Sequence, residues 1–335
     1  MRYNVLGNTD IKLSALGIGA WAMGGGGYKF GWGSQDDKDS IHTIHRAIEL
    51  GINWIDTAPI YGEGHSEEII GLALKELQKY NKIHDNIFIS TKCGIHIAEN
   101  KEDIVIDLNP NKIREDIEIS LKKLQMDTID LYHIHMPGTD EQNEIAWSTL
   151  EKLKKEGKIR YTGVSNFSLN QLEKIHKIHP VSFIQPFYNM LDPSIESEIL
   201  NFCHSNHIGV LVFSPMYRGL LTGDFTKDRA EKLTDDDNRN TLNYFKEPYL
   251  SENLQLVEHL RPIAGKNNKT VAQLALAWVL RRPEITSAIV GARKPHQIEG
   301  TAPAGDWILS EEVKKEIDCL LAKHYANMRK YVLKI

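Results

Sequence analysis

Eight short apolar runs recur along the 335-residue chain, separated for the most part by amphipathic helical patterns. The runs are "ALGIG", "INWID", "NIFISTK", "IDLYHIH", "IRYTGVS", "SFIQPFY", "GVLVFSP" and "ITSAIVG". Several are apolar almost without interruption, as in strands buried on both faces of a parallel sheet. The intervening segments, such as "DSIHTIHRAIELG" and "PNKIREDIEISLKKLQ", place apolar residues at helical spacing. Eight strand–helix repeats are the count that closes a (β/α)8 TIM barrel. A doubly wound open sheet shares the same β-α-β-α order and is the main competing architecture. A short strand pair around "GNTD" precedes the first repeat, giving an N-terminal β-hairpin, and a further helix follows the last. No Pro/Gly/Ser-rich linker breaks the register, so residues 1–335 read as one domain. The stretch from Gly219 to Tyr249 lacks a clear period and reads as a long functional loop.

Composition narrows the function classes. A net charge of −5, with acids and bases interspersed, gives no electrostatic case for nucleic acid or an anionic membrane as partner. Cys93, Cys203 and Cys319 are far apart and odd in number, which argues against a disulfide scaffold or zinc ribbon and fits a reducing compartment. The N-terminus has no apolar h-region and no stretch reaches the length of a membrane span, so a cytoplasmic location is expected.

"GIGAWA", Gly17 to Ala22, formally matches the G-x-G-x-x-G/A dinucleotide fingerprint. That motif works only if a helix opens at its end, so that the helix N-terminus meets the pyrophosphate. Here "MGGGGYKFGWG" follows, and four consecutive glycines do not open a stable helix. The segment reads instead as a flexible loop after the first barrel strand.

In a barrel the chemistry gathers at the C-terminal ends of strands. "DTAPIYG" supplies Asp56 and Tyr61 there, "STKCG" supplies Lys92, and "HIHMP" supplies His133 and His135. A phenol titrating near ~10 is a poor acid at neutral pH. A neighbouring ammonium held by a carboxylate stabilises the phenolate and so makes the phenol a better acid. Tyr61 as acid, Lys92 as its tuner, Asp56 as the partner of Lys92 and His135 as orienter can protonate a carbonyl oxygen as it becomes an alkoxide. The His-x-His pair also raises a metal site, since the rings share one strand face. The ends of the later strands offer no His or carboxylate to complete a ligand set, so no metal is expected. His135 is the reactive member, and His133, about 6–7 Å deeper, reads as a buried, hydrogen-bonded support.

The chain resembles an aldo-keto reductase over nearly its whole length. The motifs are "NWIDTAPIYGEGHSEEIIG", "STK", "DLYHIHMP", "GKIRYTGVSNFS", "IQPFYN", "FSPMYRGLLTG" and "IVGARKPHQIE". It is most similar to the bacterial branch holding inositol-utilisation-type and general stress reductases. The resemblance implies a (β/α)8 barrel, NADP(H) as cofactor, and a small aldehyde, ketone or sugar as substrate. It implies the tetrad Asp56, Tyr61, Lys92 and His135. It places Ser165, Asn166 and Gln185 on the nicotinamide carboxamide, Phe213 on the nicotinamide ring, and Ser214, Pro215, Gly219 and Leu220 along the pyrophosphate. Gly291, Arg293 and Gln297, with Thr301, fall around the adenosine and its 2′-phosphate. Lys294 is a further candidate for the phosphate.

Two departures stand out. Gly300 and Thr301 replace the usual Glu-Asn, which affects the adenine edge, and Met136 replaces a frequent tryptophan beside the substrate. Trp21, Tyr28 and Met136 are candidates for the substrate wall. The resemblance also reaches potassium-channel β subunits, which leaves a cofactor-sensing subunit as an alternative; a metal-dependent barrel hydrolase is a more distant one.

Overall fold

The computed structural model describes residues 1–26, 30–79, 87–100, 103–234 and 237–332. Eight parallel strands close a barrel: β3 (Leu16–Gly19), β4 (Trp54–Asp56), β5 (Phe88–Cys93), β8 (Ile129–Ile134), β9 (Ile159–Ser165), β10 (Phe183–Gln185), β11 (Gly209–Val212) and β12 (Ser287–Gly291). These are the eight runs read from the sequence, each beside its sequence neighbour, with β12 pairing back onto β3. Two hairpins lie outside the barrel, β1 (Tyr3–Val5) with β2 (Lys12–Ser14), and β6 (Ile95–Ile97) with β7 (Ile104–Ile106).

The helices are α1 (Asp37–Glu49), α2 (His65–Lys79), α3 (Pro110–Leu124), α4 (Asp140–Lys155), α5 (Leu169–Ile178), α6 (Ile199–Ser205), α7 (Lys227–Glu231), α8 (Tyr249–Lys266), α9 (Val271–Val279), α10 (Pro295–Thr301) and α11 (Glu311–Val332). Helices α4, α5 and α9 each begin with a reciprocal capping box, in which Thr139, Ser168 or Thr270 pairs with a glutamine three residues on. The C-terminal α11 is tied back to the body by Tyr331 Oη donating to Glu252 Oε1 at 3.0 Å and Tyr325 Oη donating to the Met190 carbonyl at 2.6 Å.

The barrel interior explains the failed fingerprint. Leu6, Ile11 and Leu13 of the first hairpin region plug the barrel floor against Trp54, Leu131, Phe183, Leu211 and Ile289. A Cβ on Gly17 would lie 2.0 Å from the Trp54 ring, and one on Gly19 would lie 2.7 Å from Ile289 Cγ2. These glycines leave room for large neighbours inside a closed barrel and belong to a strand, β3, with no helix of the fingerprint type after it.

Because side chains alternate, the residue two positions above each floor residue faces the upper interior. Trp54 is followed by Asp56, Leu131 by His133 and then His135, Phe183 by Gln185, and Leu211 by Phe213. The apolar floor and the polar mouth are therefore successive layers of the same strands.

The long segment after β11 carries more structure than its sequence suggested. It holds single-turn helices at Asn238–Thr241 and Asn243–Phe245, besides α7, and a kinked turn at Tyr217–Thr222 broken by positive φ at Arg218 and Gly219. Phe225 and Phe245 anchor it in the core. The β6–β7 hairpin was not foreseen, although "IHI" and "IVI" around a polar turn have the period-two signature of a strand pair.

Candidate active site

The centre of the mouth is a buried ion pair. Lys92 Nζ donates to Asp56 Oδ2 at 2.7 Å and to the Thr57 carbonyl at 2.7 Å. The two side chains are 1% and 5% exposed, so water screens them little. Asp56 Oδ1 accepts from Gln185 Nε2 at 2.7 Å and Ser90 Oγ at 3.2 Å. Burial pulls the Lys92 pKa down and the Asp56 charge opposes that, so the carboxylate is what keeps an ammonium here.

Tyr61 lies within this field. Its ring centroid is 5.1 Å from Lys92 Nζ, its plane stacks on Trp21 at 5.8 Å and 18°, and its edge meets the His135 ring at 6.0 Å. The first loop reaches it by backbone contact. Trp21–Gly24 forms one turn of 3₁₀ helix rather than the wholly flexible loop expected, and Gly24 packs against the Tyr61–Gly62 peptide. Gly62 has φ 65°, and a Cβ there would lie 2.1 Å from the Gly24 carbonyl oxygen. Only glycine permits both that left-handed conformation and that approach.

His135 sits one residue beyond β8, its N–H donating to the Cys93 carbonyl at 3.1 Å. Its ring is half-buried at the mouth, whereas His133 is fully buried against Phe183 at 5.3 Å. The division by depth agrees with the sequence reading, but the hydrogen-bonded support does not. Among the described residues neither ring nitrogen of His133 has a partner within hydrogen-bond distance. Burial first, and then the Lys92 charge, hold both imidazoles well below their ordinary pKa.

The sign follows directly. The folded protein keeps these rings neutral while the unfolded chain takes up protons below about 6.5, so stability falls as pH drops through that value. The expected loss is about 1.4 kcal/mol per pH unit for each such histidine. Urea unfolding of His133→Gln between pH ~5 and ~7 should show a slope smaller by one histidine's share; an unchanged slope contradicts this account.

The residues expected to receive the nicotinamide carboxamide are linked to the tetrad positions and to each other. Ser165 Oγ donates to the Gln185 carbonyl at 2.8 Å, and Asn166 Nδ2 donates to the His135 carbonyl and to Ser165 Oγ, both at 3.0 Å. Asn166 has φ 61°, and its Oδ1 accepts no hydrogen bond among the described residues, which leaves an acceptor at the mouth. Phe213 is half-buried, its edge against Phe187 at 5.4 Å. Beyond it the chain turns tightly, with Ser214, Tyr217, Arg218 and Gly219 all at positive φ; Pro215 and Leu220 lie buried in the same turn. An open acceptor, a half-buried aromatic ring and a sharply turned backbone are the features a nicotinamide dinucleotide requires.

The adenosine end is arranged less openly. Gly291 is exposed at the end of β12. Arg293 spends donors on Gln35 Oε1 at 2.7 Å, on the Trp32 carbonyl at 3.1 Å and on the Ser34 carbonyl, clasping the first loop. Gln297 Oε1 accepts from the backbone N–H groups of Arg293 (2.7 Å) and Lys294 (3.2 Å), capping α10. Thr301 is buried and its hydroxyl donates to the Gln297 carbonyl at 3.0 Å, within its own helix. Lys294 Nζ lies 3.7 Å from Asp39 on the surface.

Trp21 and Met136 are half-buried at the rim, while Tyr28 lies outside the described residues. Thr57 and Ser90, which complete the shell of Lys92 and Asp56, were missed in the sequence. Ser90 had a signal, since it stands two residues before Lys92 on the same strand face. Among the described residues no group of three or more His, Cys, Asp or Glu could hold a metal ion, and no helix is long and apolar enough to cross a membrane.

A closed parallel barrel with an Asp–Lys pair, a tyrosine and a histidine at its mouth defines the class. Residues 15–322 match the aldo/keto reductase family. The chain is 38% identical over 322 residues to the aldo-keto reductase YhdN of Bacillus subtilis, covering 96% of this chain and 94% of that protein. It is 35% identical to the NADH-specific methylglyoxal reductase of Escherichia coli, covering 91% and 94%. Among solved structures it is similar to the glycerol dehydrogenase AKR11B4 of Gluconobacter oxydans, with 37% identity, a TM-score of 0.85 and coverage of 96% and 95%. The holo form of AKR11C1 from Bacillus halodurans gives 27% identity and a TM-score of 0.78, covering 96% of each chain. The chain belongs to the aldo/keto reductase family and is an oxidoreductase of carbonyl compounds that works with a nicotinamide cofactor.

Proposed function

We propose that the protein reduces a small aldehyde, ketone or sugar to the alcohol with NADP(H), and that Tyr61 gives the proton. The observation that carries this reading is the Lys92–Asp56 pair beneath the Tyr61 ring. The ammonium favours the phenolate that remains once the proton has gone. Asp56 keeps that ammonium charged, and Gln185 and Ser90 fix the carboxylate. His135, held neutral, orients the carbonyl oxygen toward the phenol rather than competing as acid. A bound nicotinamide supplies or accepts the hydride. Asn166, Ser165 and Gln185 would hold its carboxamide, Phe213 its ring, and the turn from Ser214 to Leu220 its pyrophosphate.

Selection of NADP(H) rests on Arg293, with Lys294 beside it. The planar fork of Arg293 suits a 2′-phosphate, though its clasp on the first loop leaves it only part of its donors. One relative is named as NADH-specific, so the two dinucleotides are the comparison that matters.

The test is oxidation of NADPH and of NADH by purified protein with a simple aldehyde, together with the Kd of each dinucleotide. Aldehyde-dependent oxidation and a lower Kd for NADPH are expected. Arg293→Leu should weaken NADPH by about tenfold more than NADH, the scale of one charge-assisted hydrogen bond. Equal weakening of both would assign Arg293 to the loop clasp alone.

A further inference from the structure

Arg218 lies within the Ser214–Leu220 turn proposed above for the pyrophosphate, but its side chain has no part in that reading and reaches the same mouth. It stands in the tight turn after β11 with φ 54°, in the left-handed region that non-glycine residues rarely occupy. Its guanidinium carbon lies 5.1 Å from the Trp21 ring centroid, and Trp21 in turn stacks on Tyr61. Lys92 Nζ, Tyr61, Trp21 and Arg218 thus form a run of cation, ring, ring and cation.

The arginine is held but not neutralised. One terminal nitrogen donates to Asn238 Oδ1 at 2.5 Å. No carboxylate lies within ion-pair distance of it among the described residues. The acid on the same wall, Asp237, is committed to Arg239 through bonds of 2.9 and 2.5 Å. Arg239 itself lies over Trp32, which meets Trp21 edge-on at 5.4 Å. This side of the mouth therefore carries one more guanidinium than its carboxylate can offset.

The five N–H donors of a guanidinium lie in its own plane, so a guanidinium held near a ring keeps those it does not spend elsewhere. Four of those five donors have no partner among the described residues. Partial burial also disfavours the charge, as the lowered Arg218 pKa reflects. A half-buried cation with open in-plane donors matches an oxyanion, which takes two parallel N–H bonds from such an edge.

We infer that Arg218 is an oxyanion receptor at the mouth, whose donors take the acidic group at the far end of a short carbonyl substrate lying against Trp21. The inference deepens the reading proposed above and rests on it for the position of the reacting carbonyl at Tyr61. The competing carrier is the dinucleotide pyrophosphate, already assigned to this turn, and the test separates the two.

The test uses the full-length protein, Arg218→Gln, which keeps a flat polar group over Trp21, and Arg218→Lys, which keeps the charge. The first arm compares kcat/KM for succinic semialdehyde and for butanal at saturating dinucleotide. If the substrate carries the anion, the wild type favours the acid by about tenfold or more, Arg218→Gln collapses that ratio toward one, and Arg218→Lys restores part of it. The second arm measures the Kd of NADH and NADPH by quenching of tryptophan fluorescence. If the pyrophosphate carries the anion, Arg218→Gln weakens both dinucleotides alike by about tenfold, and Arg218→Lys weakens them less.

The first pattern supports the inference; the second, with the substrate ratio unmoved, overturns it and assigns the side chain to the cofactor. A folded Arg218→Gln that shifts neither the substrate ratio nor either Kd by more than roughly threefold would overturn it. So would an Arg218→Lys indistinguishable from Arg218→Gln in both arms. Failure of the wild type to reduce butanal with either dinucleotide would instead count against the proposed reductase reaction, and the second arm would still report on Arg218.

Discussion

Tyr61→Phe should lower turnover with a simple aldehyde by roughly 10²–10⁴-fold, the usual contribution of a positioned acid. The phenylalanine ring keeps the face on which Trp21 stacks and over which Lys92 lies, so the fold and dinucleotide affinity should persist. Steady-state kinetics and a dinucleotide titration on the same preparation check both parts. His135 is the natural substitute proton donor, but burial and the Lys92 charge hold it neutral, and a neutral imidazole is a weak acid. Activity within about threefold of wild type would assign the proton to another group.

Asp56→Leu should destabilise the fold by about 3–5 kcal/mol, because it leaves the Lys92 ammonium buried without its counter-charge. The Thr57 carbonyl remains as a partner for the ammonium but is neutral. Adding Lys92→Met to that variant should recover most of the loss, since an apolar pair of similar volume removes both charges. Neither variant should regain turnover, as the tuning of Tyr61 depends on the ammonium. Urea unfolding at pH ~7 separates the two effects. A double variant no more stable than Asp56→Leu alone would mean the cost is one of packing rather than charge.

The fold was largely legible because its signal is local and repeated. Each of the eight apolar runs became a barrel strand, and their order in sequence is their order around the barrel. The tetrad positions were legible for a related reason: Asp56, Lys92 and His135 lie at strand ends, and strand ends in a closed barrel converge on one mouth.

What stayed hidden lies in loops and in competition for hydrogen bonds. Arg293 reads in sequence as a phosphate ligand, yet its nearest partners are Gln35 and the carbonyls of Trp32 and Ser34, more than two hundred residues earlier in the chain. Thr301 reads as a cofactor contact but turns its hydroxyl into its own helix. Arg218 carried no pattern at all, because its significance depends on Trp21 and Asn238, which only the folded loops bring beside it. Glycines misled in the opposite direction. Gly17 and Gly19 resemble a nucleotide fingerprint, whereas their small size accommodates Trp54 and Ile289 inside the barrel.

The central claim is that one mouth joins hydride transfer from a nicotinamide to proton delivery by Tyr61. Single-turnover reduction of a simple aldehyde with NADPH deuterated at both C4 positions, in wild type and in Tyr61→Phe, tests it most directly. The account predicts deuterium on the carbinol carbon of the product with wild type, and loss of that product on the same timescale with Tyr61→Phe although the dinucleotide is bound. Product without deuterium, or equal deuterated product from the variant, would contradict it.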